Sequence, residues 1–114
     1  MNTLNTVISE KNPSLCIPRV NNNISEAYIR SIFTELKLGI IDRIDMVYKK
    51  EDKFKIVFIH FKKWFQEGNA VIARERLLNK QDINVIYEEP WFWKISAYRE
   101  SNKKSNSKPI IVAK

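Results

Sequence analysis

Along residues 15–98 the apolar positions recur with a period near two or with one near three and a half, and each change of period marks a new element. Residues 15–20 form a short apolar run ended by Asn21-Asn22-Asn23, which predicts a strand and a turn. A helix follows. Ser25 is a suitable N-cap with Glu26 in the first turn, Ile24 and Ile29 are placed as a hydrophobic staple, and Ile29, Ile32, Phe33 and Leu36 keep one face apolar. Gly39 is expected as its C-cap. Residues 40–49 are rich in strand formers, with Ile44, Met46 and Tyr48 on one side, and residues 50–53 form a charged turn. Residues 54–61 then alternate again with strong β-formers, so a hairpin is predicted, with Phe54, Ile56, Phe58 and His60 on one face and Phe61 turned to the core.

Helical spacing returns over residues 65–79. Ala70, Ala73 and Leu77 share a face, with Arg74, Glu75 and Arg76 nearer solvent. A short strand is expected over residues 83–87, a turn at 88–90 and a last strand over 92–98. In that last strand Trp93, Ile95 and Ala97 face the core, while Phe92, Lys94, Ser96 and Tyr98 face away from it. The order is β-α-β-β-α-β with one additional short strand before the last. The fold class expected is α+β: a ferredoxin-like sandwich whose four-stranded antiparallel sheet is covered on one face by two helices. Its four main strands would lie in the order 4-1-3-2, and its other face would stay open for function. Ile29, Phe33, Ala70, Ala73 and Leu77 are the expected helical core.

At 114 residues the chain has room for a single core. Residues 1–12 are polar and residues 100–109 are rich in Ser, Asn and Lys, so the domain is placed at 13–99. It is flanked by a disordered N-terminal segment, 1–12, and a basic, mostly disordered tail, 100–114. The formal charge is +7, and much of it falls in that tail. Neither a secretory leader nor a membrane span is expected from the apolar runs. A single cysteine, Cys16, excludes an internal disulfide, and with one histidine, His60, metal binding is not expected. No cofactor is implied. The two glycines, Gly39 and Gly68, are too far apart to make a phosphate loop, and Asp42 and Asp45 flank a strand without an evident partner. No Ser-His-Asp arrangement that His60 would complete is legible, so the chain is read as a binding protein and not an enzyme. His60 and Cys16 are assigned no chemistry, Cys16 being read as a small apolar residue.

The segments resemble the RNA-recognition motif over residues 14–99. Leu15-Cys16-Ile17-Pro18-Arg19-Val20 stands where that family carries its six-residue motif, and residues 54–61 stand where it carries its eight-residue motif. Asn23-Ile24-Ser25-Glu26 with Ile29 and Phe33, Ala70 and Ala73 before Leu77-Leu78-Asn79, and Lys94-Ile95-Ser96-Ala97 are similar to its helix entries and last strand. Together with Pro90-Trp91-Phe92-Trp93, the first-strand motif is also similar to small uncharacterised domains of this kind in giant DNA viruses. The abundance of Lys, Asn and Ile, a bias that A+T-rich coding DNA produces, agrees with such a source.

The resemblance implies single-stranded RNA, or single-stranded DNA, stacked on sheet aromatics. Three positions carry that role in the family, and here they hold Cys16, Ile56 and Phe58. Two lost stacking contacts weaken binding by about 30-fold to more than 10⁴-fold, so weak or low-specificity binding is expected. The binding residues are then Phe58, Ile56, Phe54 and Cys16, with Lys94 and Tyr98 from the last strand. Lys49 and Lys50 in the loop before residue 54, and Lys103 and Lys104 in the tail, would supply phosphate attraction. The alternative is a protein-interaction module that docks through the same apolar face, chiefly Ile56 and Phe58. A monomer is expected in either case. The expected location is intracellular, the host cytoplasm or a viral factory if the source is viral, with the nucleus left open.

Overall fold

The structure is a computed structural model that describes residues 9–49, 51 and 53–98. Seven elements follow in the order β1 (Ser14–Asn21), α1 (Glu26–Leu36), β2 (Gly39–Tyr48), β3 (Phe54–Trp64), α2 (Asn69–Leu78), β4 (Ile83–Glu88) and β5 (Trp91–Tyr98). They build a five-stranded antiparallel sheet in the order β2-β3-β1-β5-β4. This corrects the four-stranded ferredoxin-like sandwich expected from the periodicities. The segment taken for a short extra strand is a full sheet member: β4 pairs Ile83, Asn84, Val85 and Ile86 with Ile95, Lys94, Trp93 and Phe92 of β5. The reason lies in its side chains. Val85 is buried in the main core, and Tyr87 stacks on Trp93 with ring centroids 4.2 Å apart while meeting Tyr28 edge-on at 6.5 Å. A strand that buries one face this fully belongs to the sheet.

α1 begins where its cap stands. The Ser25 hydroxyl accepts the Tyr28 N–H at 3.1 Å, and Glu26 pairs with Arg30 one turn on. It ends at Lys37, in the left-handed region at φ 53°, and not at Gly39. Gly39 opens β2, where a Cβ would collide with the Lys63 carbonyl and the Trp64 backbone, so close strand approach is what requires glycine there. α2 starts at Asn69, four residues later than its spacing suggested, because β3 continues through Trp64.

Both helices lie on one face. Ile29 and Phe33 of α1 and Ala70 and Leu77 of α2 join Leu15, Ile17, Val57, Ile59, Phe61, Trp93 and Ile95 in a single core, against which Ala73 is partly buried. Trp64, fully buried, fixes the segment before β1: its indole N–H donates to the Pro13 carbonyl at 3.0 Å, and its backbone N–H to that of Glu10 at 2.9 Å. Arg74 of α2 reaches the same segment through the carbonyls of Ser9 and Asn12, both at 2.8 Å.

Lys55 is on the core side of β3 and only 1% exposed. Its ammonium donates to the carbonyls of Ile24 and Asn22 and reaches the Tyr48 hydroxyl, which ties the β1–α1 loop to the hairpin. Replacing Lys55 with methionine keeps the bulk but leaves backbone acceptors without their donor, so a loss of about 1–3 kcal/mol is expected in urea unfolding. An unchanged midpoint would remove Lys55 as a structural tie.

Candidate nucleic-acid interface

The face of the sheet opposite the helices is built in rows. Asp45 of β2, Phe58 of β3, Cys16 of β1 and Ser96 of β5 stand opposite one another, and in the next row come Arg43, His60, Ser14 and Tyr98. Strands two apart are about 10 Å apart, so large side chains meet across an intervening strand only if that strand carries small ones. β1 carries Ser14 and Cys16. Over them Phe58 and Tyr98 come together, with ring centroids 4.8 Å apart and tilted by 55°, and Tyr98 also meets the edge of His60 at 6.2 Å. Both aromatics are partly exposed.

β5 serves two neighbours in succession. Ser96, Ala97 and Tyr98 pair with β1, whereas residues 91–95 pair with β4. The β1 ladder to β3 is interrupted between Ile17 and Val20, where Pro18 has no N–H to give. Since β4 begins only at Ile83, the stretch of β5 around Ser96 is bordered by the loop before β4 and not by a strand. A hollow of about 410 Å³ opens there, lined by Phe58 and Tyr98, by the small side chains of Cys16 and Ser96, and by Lys80, Gln81 and Asp82. Its size lies within the roughly 300–1,000 Å³ of small-ligand sites. Lys94 stands behind that lining, its ammonium 3.6 Å from the Asp82 carboxylate.

The other expected residues are placed as follows. Ile56 is half-buried opposite Val47. Phe54 lies under the Arg19 guanidinium, 4.1 Å from its ring centroid, so one face of that ring is already covered. Cys16 is half-buried; burial pushes its thiol above the ordinary value and so disfavours a reactive thiolate, while a hydrogen bond with Ser96 acts in the opposite direction and more weakly. Lys49 is exposed at the end of β2. Lys50, Lys103 and Lys104 lie outside the described residues.

The fold also assembles a chain that was not legible in the sequence. Ser14 Oγ lies 2.8 Å from His60 Nδ1, His60 Nε2 lies 3.1 Å from Asp45 Oδ2, and the Arg43 guanidinium donates to the same carboxylate at 3.1 Å. An ionised carboxylate only accepts, so a neutral ring carries its proton on Nε2 and accepts the Ser14 hydroxyl at Nδ1. Three residues distant in sequence thus form a serine-histidine-aspartate chain. The chain holds the imidazole in one orientation, with its ring against the edge of Tyr98.

Among the described residues no three His, Cys, Asp or Glu side chains gather as metal ligands, and no helix is long and apolar enough to cross a membrane. No family model matches the chain, and no curated protein or solved structure shows significant similarity to it.

Proposed function

We propose that this chain is a small binding protein of the RNA-recognition-motif type that takes single-stranded RNA, or single-stranded DNA, on the uncovered face of its sheet, weakly and with low specificity. The observation that carries this reading is the Phe58–Tyr98 pair beside an open hollow lined by Lys80, with Lys94 paired to the Asp82 of that lining. Aromatic faces accept any base by stacking, and neighbouring ammonium groups attract the phosphates. The Ser14–His60–Asp45 chain holds Tyr98's neighbour in place and so pre-orders the platform.

Fluorescence anisotropy with labelled RNA and DNA octamers at two salt concentrations tests the reading. Phe58→Ala is expected to weaken binding by about 1–3 kcal/mol while leaving the circular dichroism spectrum unchanged. Changing Lys49, Lys50, Lys103 and Lys104 together to glutamine should lower the slope of log affinity against log salt by up to about 3. Binding that is absent at low salt, or indifferent to Phe58→Ala, refutes the proposal.

A second reading, docking of a protein, is favoured by Ile86, Trp91 and Phe92, which are all more than half exposed beside the same face. Under it the four lysine changes leave partner capture intact and Phe58→Asp abolishes it, through the cost of burying an unpaired carboxylate.

A further inference from the structure

A carboxylate repels phosphate, so Asp82 is out of place in a site for a polyanion unless it meets the edge of a base. Its position suits that role. It lines the hollow with Phe58 and Tyr98, and Lys94 holds an ammonium 3.6 Å away, which offsets its charge and sets a donor beside an acceptor. Asp45, a carboxylate elsewhere on the face, is already engaged by His60 and Arg43.

We propose that the hollow beside Ser96 is a guanine-selective subsite, with the Asp82 carboxylate accepting from N1–H and the N2 amine and Lys94 donating to O6. The chemistry of the four bases decides this. Guanine presents two adjacent donors, which a carboxylate takes as a bidentate pair, next to a carbonyl that suits an ammonium. Adenine and cytosine set their amine beside an unprotonated ring nitrogen, whose lone pair faces the second carboxylate oxygen. Uracil sets its one N–H between two carbonyl oxygens, and both oppose the carboxylate. The base ring would rest against Phe58, and Gln81, which carries a donor and an acceptor, borders the same space.

This inference rests on the binding proposed above, and its test separates the two. The full chain is titrated at low salt with an all-uridine octamer, with the same octamer carrying one central guanosine, and with one carrying inosine, which lacks the N2 amine. The guanosine octamer is expected to bind about ten-fold tighter than the uridine one, with inosine between them. In Asp82→Asn the ratio of guanosine to uridine affinity should fall close to one. Because the ratio is read, a general rise in RNA affinity on removing a negative charge does not disguise the result. Uridine binding without a guanosine preference in the wild type, or a preference kept by Asp82→Asn, overturns the guanine subsite and leaves the broader reading standing. Failure of every octamer to bind overturns both.

Discussion

Phe33→Ala is expected to destabilise the protein by about 3–5 kcal/mol. Phe33 has no solvent exposure, and its ring stacks on Trp93 with centroids 6.2 Å apart and planes within 5°. Trp93 in turn stacks on Tyr87, so α1, β5 and β4 are joined through three aromatic layers. Truncation removes the first layer and leaves a cavity that two rigid rings cannot close by small adjustments. A domain of this size has about 5–15 kcal/mol in total, so the mutant should unfold at much lower urea concentration, with the β4–β5 hairpin loosened together with α1. Equilibrium unfolding followed by tryptophan fluorescence measures this directly. A mutant with the wild-type midpoint would mean that α1 does not pack on the sheet through Phe33.

Trp64→Ala is expected to cost a similar amount, about 3–5 kcal/mol, but through a different part of the molecule. Trp64 is the largest fully buried side chain, packs on Phe61 at 4.7 Å, and donates its indole N–H to Pro13. Its loss opens a cavity at the end of β3 and leaves the Pro13 carbonyl without that donor. The segment before β1 should then become sensitive to protease, although Arg74 still reaches Ser9 and Asn12. Trp64→Phe separates the two contributions. It retains most of the apolar volume and loses the indole donor, so it should recover a large part of the stability while Pro13 remains unsatisfied. Equal losses in both variants would show that the hydrogen bond, and not the packing, is what Trp64 supplies.

The residues of the candidate site were legible in unequal measure. The two-residue period of a strand over residues 54–61 placed Phe58 on the uncovered face, and the same period from Trp93 placed Lys94 and Tyr98 there as well. What alternation does not carry is which residues stand opposite. The meeting of Phe58 and Tyr98 over Ser14 and Cys16 depends on the register of three strands, and so does the Ser14–His60–Asp45 chain, which was read as absent. The loop bearing Gln81 and Asp82 gave no sign of a site, since a polar loop before a strand is ordinary and only the β4 start point brings it to the hollow. Lys55 is a further case. Alternation puts it on the inward face of β3 with Val57, Ile59 and Phe61, and a lysine is satisfied there only because two loop carbonyls converge on it in three dimensions.

By itself, the sequence determined the local elements whose causes are local: the Ser25 cap of α1, the apolar helix stripe with Ile29 and Phe33, the β2–β3 hairpin, and the inward face of β3. These depend on side-chain oxygens and periodicities within a few residues of one another. Only the tertiary structure decided that β4 completes a five-stranded sheet, that Gly39 serves a close strand contact and not a helix end, and that β5 divides its length between β1 on one edge and β4 on the other to leave a hollow at Ser96. Those outcomes turn on contacts between residues far apart in the chain. Whether a six-residue strand joins a sheet is settled by what its inward side chains find to pack against, here Trp93 and Tyr28, and no pattern within the strand encodes its partner.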